Sequence, residues 1–293
     1  MNINPFTPGK STQRKQANAA LFLGILLIFS GCFVPATEQS QHPTKYTASS
    51  NLSVLDTLTD DSVTSALIGP YKQKMLAEMT EYIATIDSPF SNAFFVGNLG
   101  RLAADYMLLS ANAISQKEYG IPCHFAISNN GGFRTGFYPG PVTMQQLYEV
   151  MPFENELVLV QLPGIYVDSL FQYIAQLQGT PASGFQLIYS KGSTRKENKY
   201  LSVKLNANAV TSIQDLLNPM YTQPLDTRRD YLIAVNSYMA VGGDGFTMLK
   251  HATKTLYTGI NLRNVLATQL KAEYQANKFI DPRKQLRIFH ESR

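Results

Sequence analysis

The stretch Phe125-Ala-Ile-Ser-Asn-Asn-Gly-Gly-Phe-Arg-Thr-Gly136 sets a short apolar strand against a glycine turn that ends in a single arginine. Its apolar start reads as a buried strand, and its glycines would let the backbone come close to a bound group with no Cβ in the way. The asparagines offer amides and the guanidinium a planar fork suited to phosphate. Taken alone, a polar turn after a buried strand is the plainer reading, and an anion site is the alternative.

On either side of this stretch, strands, turns and helices alternate. Leu67, Tyr71, Met75, Met79, Ile83 and Ile86 recur at helical spacing with Glu78 and Glu81 off the stripe, which predicts a helix with one buried face. A second amphipathic helix is expected over Asn98–Ile114, with Leu99, Leu102, Ala103, Tyr106 and Met107 facing inward. Thr143 and Gln146 have capping-box spacing, so a short helix starts there. Next come a strand over Leu157–Leu162, a Pro163-Gly164 turn and a helix carrying Val167, Leu170, Phe171, Ile174 and Leu177 that ends at Gly179. Further strands are expected at Phe185–Tyr189, Leu201–Leu205, Tyr231–Val235 and Leu286–Phe289, and a helix at Asn261–Gln275. The fold class is α+β (mixed α/β), with no internal repeat.

The first residues carry Lys10, Arg14 and Lys15, then an uncharged apolar run from Ala19 to Phe29, then Ser30-Gly31-Cys32. That run is too short to span a bilayer, and its layout is that of a lipoprotein signal peptide over residues 1–31. Phe29-Ser-Gly-Cys32 resembles a lipobox, with Phe29 where leucine is commoner, so Cys32 is the expected lipidation site and membrane anchor. Phe33 follows it, not the aspartate associated with inner-membrane retention, which points to the periplasmic face of the outer membrane. Residues 32–50, rich in Ser, Thr, Gln and Pro, read as a tether, and residues 51–293 as the folded domain.

Loss of residues 1–31 would remove three of the 25 Lys and Arg and none of the 21 Asp and Glu, so the formal charge falls from +4 to +1. The basic balance therefore belongs to the leader and gives no argument for nucleic-acid binding. With Cys32 lipidated, Cys123 has no partner for a disulfide.

Three more segments share the character of the opening stretch. Met151-Pro-Phe-Glu-Asn155 and Ala182-Ser-Gly-Phe185 precede strands, and Asn236-Ser-Tyr-Met-Ala-Val-Gly-Gly-Asp-Gly-Phe246 follows one. Strand ends are where ligands tend to bind in such sheets. The segments Asn98-Leu-Gly-Arg-Leu102, Asn129-Asn-Gly-Gly-Phe-Arg134, Pro152-Phe-Glu-Asn155 and Gly242-Gly-Asp-Gly-Phe246 resemble, in order and spacing, the C-terminal domain of bacterial and animal 5'-nucleotidases. The resemblance covers about Asn51 to Arg293 and implies a layered α/β/β/α fold that binds a nucleotide.

By position it implies that Phe153 and Tyr238 sandwich the base, Tyr238 standing where phenylalanine is common. Asn155 would bond the base edge, Asp244 would accept from the ribose hydroxyls, Arg134 would bind phosphate, and Asn129 would lie beside the phosphate. Two positions depart from the pattern. A second phosphate-binding arginine is usual five residues before the asparagine of the Asn-Leu-Gly motif, and here that residue is Ala93. The glycine usual after the stacking phenylalanine is Glu154, which would alter the rim or repel an anion.

Full-length members of that family cut phosphate with two metal ions held by an N-terminal metallophosphoesterase domain. This chain offers His42, His124, His251 and His290, scattered, with no Asp-x-His or Gly-Asn-His-Glu cluster. Ser128 lacks a nucleophile elbow, and Cys123 lacks a paired histidine signature. The expectation is a nucleotide-binding half with no catalytic residue and no metal or other cofactor of its own. Its catalytic partner would be a separate metallophosphoesterase chain carrying divalent metals. A lipid-anchored nucleoside- or nucleotide-binding protein without chemistry is the alternative, and an envelope interaction module is a third reading.

Overall fold

Alternation of apolar side chains along the central strands decides the architecture, because successive residues of a strand face opposite sides of its sheet. The computed structural model describes residues 58–93 and 97–291. The expected signal peptide, lipidated Cys32 and tether lie outside the described residues.

The helices are α1 (Ser62–Met79), α2 (Asn98–Tyr119), α3 (Met144–Val150), α4 (Gly164–Leu177), α5 (Ile213–Leu217), α6 (Ser237–Ala240) and α7 (Leu262–Asn277). The strands are β1 (Tyr82–Ile86), β2 (Phe125–Ile127), β3 (Gly140–Thr143), β4 (Glu156–Pro163), β5 (Ala182–Ser183) and β6 (Phe185–Ser190). They continue with β7 (Lys199–Asn206), β8 (Tyr221–Pro224), β9 (Asp230–Asn236), β10 (Lys254–Asn261) and β11 (Ile288–His290). A five-stranded sheet has the order β10-β4-β9-β2-β5, a four-stranded sheet the order β11-β6-β7-β8, and β1 pairs with β3. The class is mixed α and β, as expected.

The central strands β4, β9 and β2 of the five-stranded sheet are buried on both faces. Leu157 and Leu159 of β4 and Leu232 and Ala234 of β9 pack with Leu102, Tyr106 and Leu266 from α2 and α7. Val158, Val160, Tyr231, Ile233 and Val235 point the other way, onto Phe171 and Ile174 of α4 and Phe185 and Leu187 of the second sheet. Two-sided burial explains why Leu157–Val160 and Tyr231–Val235 read as continuous apolar runs.

Within α2, each of the five residues expected to face inward is buried, and the helix continues to Tyr119, where Gly120 (φ 67) ends it in the left-handed region. Thr143 starts α3, its amide donating to Gln146 Oε1 at 2.9 Å. At the end of α4 it is Gln178 (φ 64), one residue before the expected glycine, that turns left-handed.

The first helix departs from expectation. It stops at Met79, and Ile83 and Ile86 belong to β1, which pairs antiparallel with β3. Thr80 closes the helix by donating from Oγ1 to Leu76 O at 2.9 Å. The apolar spacing thus spans a helix end and enters a strand. Nor is the expected face buried: Leu67, Tyr71 and Met75 are 72%, 76% and 57% exposed.

Candidate functional site

Parallel pairing of β2 with β9, and antiparallel pairing of β9 with β4, bring three loops to one end of the five-stranded sheet. The turn after β2, the loop before β4 and the loop after β9 meet there.

The first loop is a tight turn over Asn130–Gly132, closed by the Gly132 amide donating to Asn129 O at 3.3 Å. Phe133 anchors it in the core, while Arg134 projects outward with its amide held by Val150 O at 2.9 Å. Glycine at 132 leaves room for the Asn129 side chain, since a Cβ there would stand 3.1 Å from Asn129 Oδ1. Asn129 is itself buried, bridging inward and outward. It accepts from Asn236 Nδ2 at 2.8 Å and donates to Asp244 Oδ2 at 2.7 Å.

In the loop after β9, Asn236 caps α6 by accepting the Met239 amide at 2.7 Å. Left-handed Gly242 (φ 89) and Gly245 (φ 81) bracket Asp244, which is left-handed as well (φ 50), and Phe246 pins the far end in the core. Only a residue tolerant of that backbone region fits at 244, and aspartate is one.

The loop before β4 carries Phe153, 42% exposed, and Asn155. Glu154 turns away from the cleft: its carboxylate pairs with the buried Arg263 guanidinium and accepts from Asn261 Nδ2 at 2.7 Å. Arg263 also donates to Met151 O at 2.8 Å and lies 3.7 Å over the Tyr148 ring. The acid standing where a glycine is usual is therefore answered by a cation, and it neither forms the cleft wall nor faces an anion in it.

Asn129, Gly131, Gly132 and Arg134 form one side of a cleft of about 330 Å³, and Phe153, Asn155, Tyr238 and Asp244 the other. Its volume falls within the range of small-molecule sites. All six residues singled out for binding thus meet in a single cavity, while Ala93 is not part of its wall. The cleft is chemically zoned. Two aromatic rings offer stacking surfaces, Asn155 a donor and acceptor, Asp244 a carboxylate, and Arg134 a cation whose guanidinium lies 4.9 Å over the Phe153 ring.

Matching of the chain to the sequence profile described as "5'-nucleotidase, C-terminal domain" extends over residues 82–251, more than half its length. The chain belongs to this family. Its relatives include a probable 5'-nucleotidase of Treponema pallidum, 28% identical over 57% of this chain and 26% of that protein. An apyrase of Tabanus yao is 26% identical over 59% of this chain and 32% of its own length. This chain therefore matches about a third or less of these curated relatives. Among solved structures, a 5'-nucleotidase precursor from Thermus thermophilus superposes with a TM-score of 0.60 at 26% identity, covering 80% of this chain and 44% of the other. The Haemophilus influenzae NAD nucleotidase shares the fold, with a TM-score of 0.53 at 20% identity over 73% of this chain and 39% of the other.

Two residues that sequence reasoning missed complete the site of this family member. Tyr173 of α4 donates to Asp244 O at 2.7 Å and packs edge-on against Phe246. Arg263 fixes the base of the Phe153 loop, and its one signal in the sequence was the acid at 154, which needed a counter-charge. Arg263→Ala is expected to weaken ligand binding in the cleft about 3- to 10-fold by loosening the placement of Phe153 and Asn155, although Arg263 does not line the cleft. Titration calorimetry on the folded variant would measure this loss.

His124 is structural. Its Nδ1 sits 3.1 Å from the Leu232 amide, which donates to it, and burial lowers its pKa so that it stays neutral. Cys123 is buried in the core, and burial pushes its thiol pKa up, which suits packing and not reactivity.

Proposed function

We propose that this domain binds nucleoside 5'-phosphates and presents them to a separate metallophosphoesterase chain for phosphate-monoester hydrolysis in nucleotide catabolism. The observation that carries this reading is the meeting of Phe153, Tyr238, Asn155, Asp244 and Arg134 around one cleft of nucleoside size. Stacked aromatics hold a base, a carboxylate suits a ribose diol, and a guanidinium suits a phosphate.

Hydrolysis needs a group that activates water, and among the described residues no cluster of three or more His, Cys, Asp or Glu is placed to hold a metal ion. Divalent metals are accordingly assigned to the partner. The proposal includes a lipid on Cys32 that keeps the pair at the periplasmic face of the outer membrane. Nucleic acid is not a partner in this reading.

The test has two parts. Titration of AMP into the purified chain is expected to give saturable binding that Asp244→Ala weakens at least about tenfold, the scale of a lost charge-assisted hydrogen bond. Addition of the chain to periplasmic metallophosphoesterases should then raise AMP hydrolysis. Binding without any gain in hydrolysis would favour the second reading, a lipid-anchored protein that retains nucleosides or nucleotides without chemistry. The specific observation in favour of that reading is Ala93, which leaves Arg134 as the one cation among the described residues of the cleft wall.

A further inference from the structure

We propose that a small pocket at the start of α2, beside Asn130, is a separate anion site that takes a tetrahedral oxyanion such as inorganic phosphate. The pocket and the nucleotide cleft have no wall residue in common, so its occupancy does not require a nucleotide.

Two arginines line it: Arg101, in the first turn of α2, and Arg287, just ahead of β11. The Arg287 side chain is 6% exposed. Its Nη1 donates to Ala182 O and its Nη2 to Asp105, but its buried Nε has no acceptor. A buried donor left unpaired is costly, and an oxyanion is the acceptor that would satisfy it. Arg101 donates from Nε to Arg283 O at 2.7 Å. Burial and then the charge of Arg287 lower the Arg101 pKa, with Asp105 pulling the other way. The two guanidiniums thus repel each other, and an anion held between them replaces that repulsion with two attractions. Among the described residues, no acidic side chain lines the pocket.

The backbone adds to this field. Helix α2 runs for 22 residues, and its positive end faces the pocket through Gly97 and Gly100. Gly97 caps it without a side-chain bond, and no acidic residue stands in its first turn. Asn92 and Asn130 bring amides to the wall, the first already donating to Phe133 O at 3.4 Å. Size selects among anions. The volume is about 40 Å³, room for roughly three waters, which suits a single phosphate and excludes a nucleoside.

Calorimetric titration of inorganic phosphate at constant ionic strength, on the wild-type chain and on Arg101→Met, Ala93→Glu and Arg134→Ala, tests the site. Ala93 lines the pocket and bonds only through its main chain, so glutamate there adds a charge of the wrong sign without removing a bond. Wild type is expected to bind phosphate saturably, and Arg101→Met to weaken that binding at least about tenfold, the scale of a lost charge-assisted bond. Ala93→Glu should weaken it at least about 5-fold by repulsion. Arg134→Ala, which alters the cleft alone, should keep a phosphate site within about 2-fold of wild type. Should Arg101→Met fail to fold, Ala93→Glu decides by itself. Absence of phosphate binding by the wild-type chain, or wild-type affinity in Ala93→Glu, would overturn the proposal. So would loss of binding in Arg134→Ala with Arg101→Met unchanged, because the phosphate would then sit in the cleft.

Discussion

Asp105→Asn is expected to destabilise the domain by about 3–5 kcal/mol, the cost of leaving buried cations without their carboxylate. Asp105, fully buried on α2, accepts from Arg283 Nε at 2.9 Å, Arg287 Nη2 at 2.9 Å and Ser183 Oγ at 2.6 Å. Arg287 Nη1 is also 2.6 Å from its Oδ1. Arg283 has a second carboxylate in Glu273, 2.6 Å away, which accepts from Tyr106 Oη as well. Arg287 has no second carboxylate among the described residues; it donates to Ala182 O at 2.7 Å, and its Nε is buried without a partner. The network is therefore already one bond short, and loss of the Asp105 charge strands Arg287.

These two arginines lie within the connection from α7 to β11, a stretch of chain with little regular structure. The buried charges staple it to α2 and to β5. With a urea dependence of about 1–3 kcal/mol per molar, the expected loss lowers the unfolding midpoint by on the order of 1–5 M. Asp226→Asn is the control, since Arg228 in that pair is 88% exposed and water already solvates both charges. A midpoint shift for Asp105→Asn no larger than that of the control would show that the buried network does not hold the domain together.

None of this network was legible in the sequence, because its members come from Asp105, Ser183, Glu273, Arg283 and Arg287, and charge pairing across that separation leaves no local pattern. What could be read were features with a short period. The apolar run Leu157–Val160 of β4 and the inward stripe of α2 each report burial directly, and both elements lie where expected. Strands β1, β3 and β10 were missed for opposite reasons. Ile83 and Ile86 of β1 continue a helical spacing, whereas β3 and β10 expose much of their length and alternate weakly. The exposed stripe of α1 shows that spacing predicts a helix and not what covers it. In the cleft, the six residues were found through ordered motifs, and their meeting follows from β2, β9 and β4 sharing one sheet end. Tyr173 and Arg263 act through the backbone or a carboxylate from other elements, so no motif announced them.

Phe153→Ala is expected to reduce AMP affinity by more than it reduces adenosine affinity, and that difference is the sharpest test of how the cleft works. Loss of the stacking face alone costs about 1–3 kcal/mol, or about 5- to 150-fold, and adenosine should show that much. AMP should lose a further 2- to 5-fold, because the ring is also the platform on which the Arg134 guanidinium rests, 4.9 Å from its centroid. Arg134 is otherwise exposed, and its long side chain is free to leave the cleft once the ring is gone. Phe153 itself is 42% exposed, so its truncation should leave the fold intact and the comparison clean. Arg134→Ala supplies the other corner of the cycle: it should lower AMP affinity towards that of adenosine. In the double variant, the phosphate-dependent losses should then fall short of additive by the shared 2- to 5-fold. Strict additivity would mean that base stacking and phosphate capture are independent in this cleft, and that the arginine does not need the ring to hold its anion.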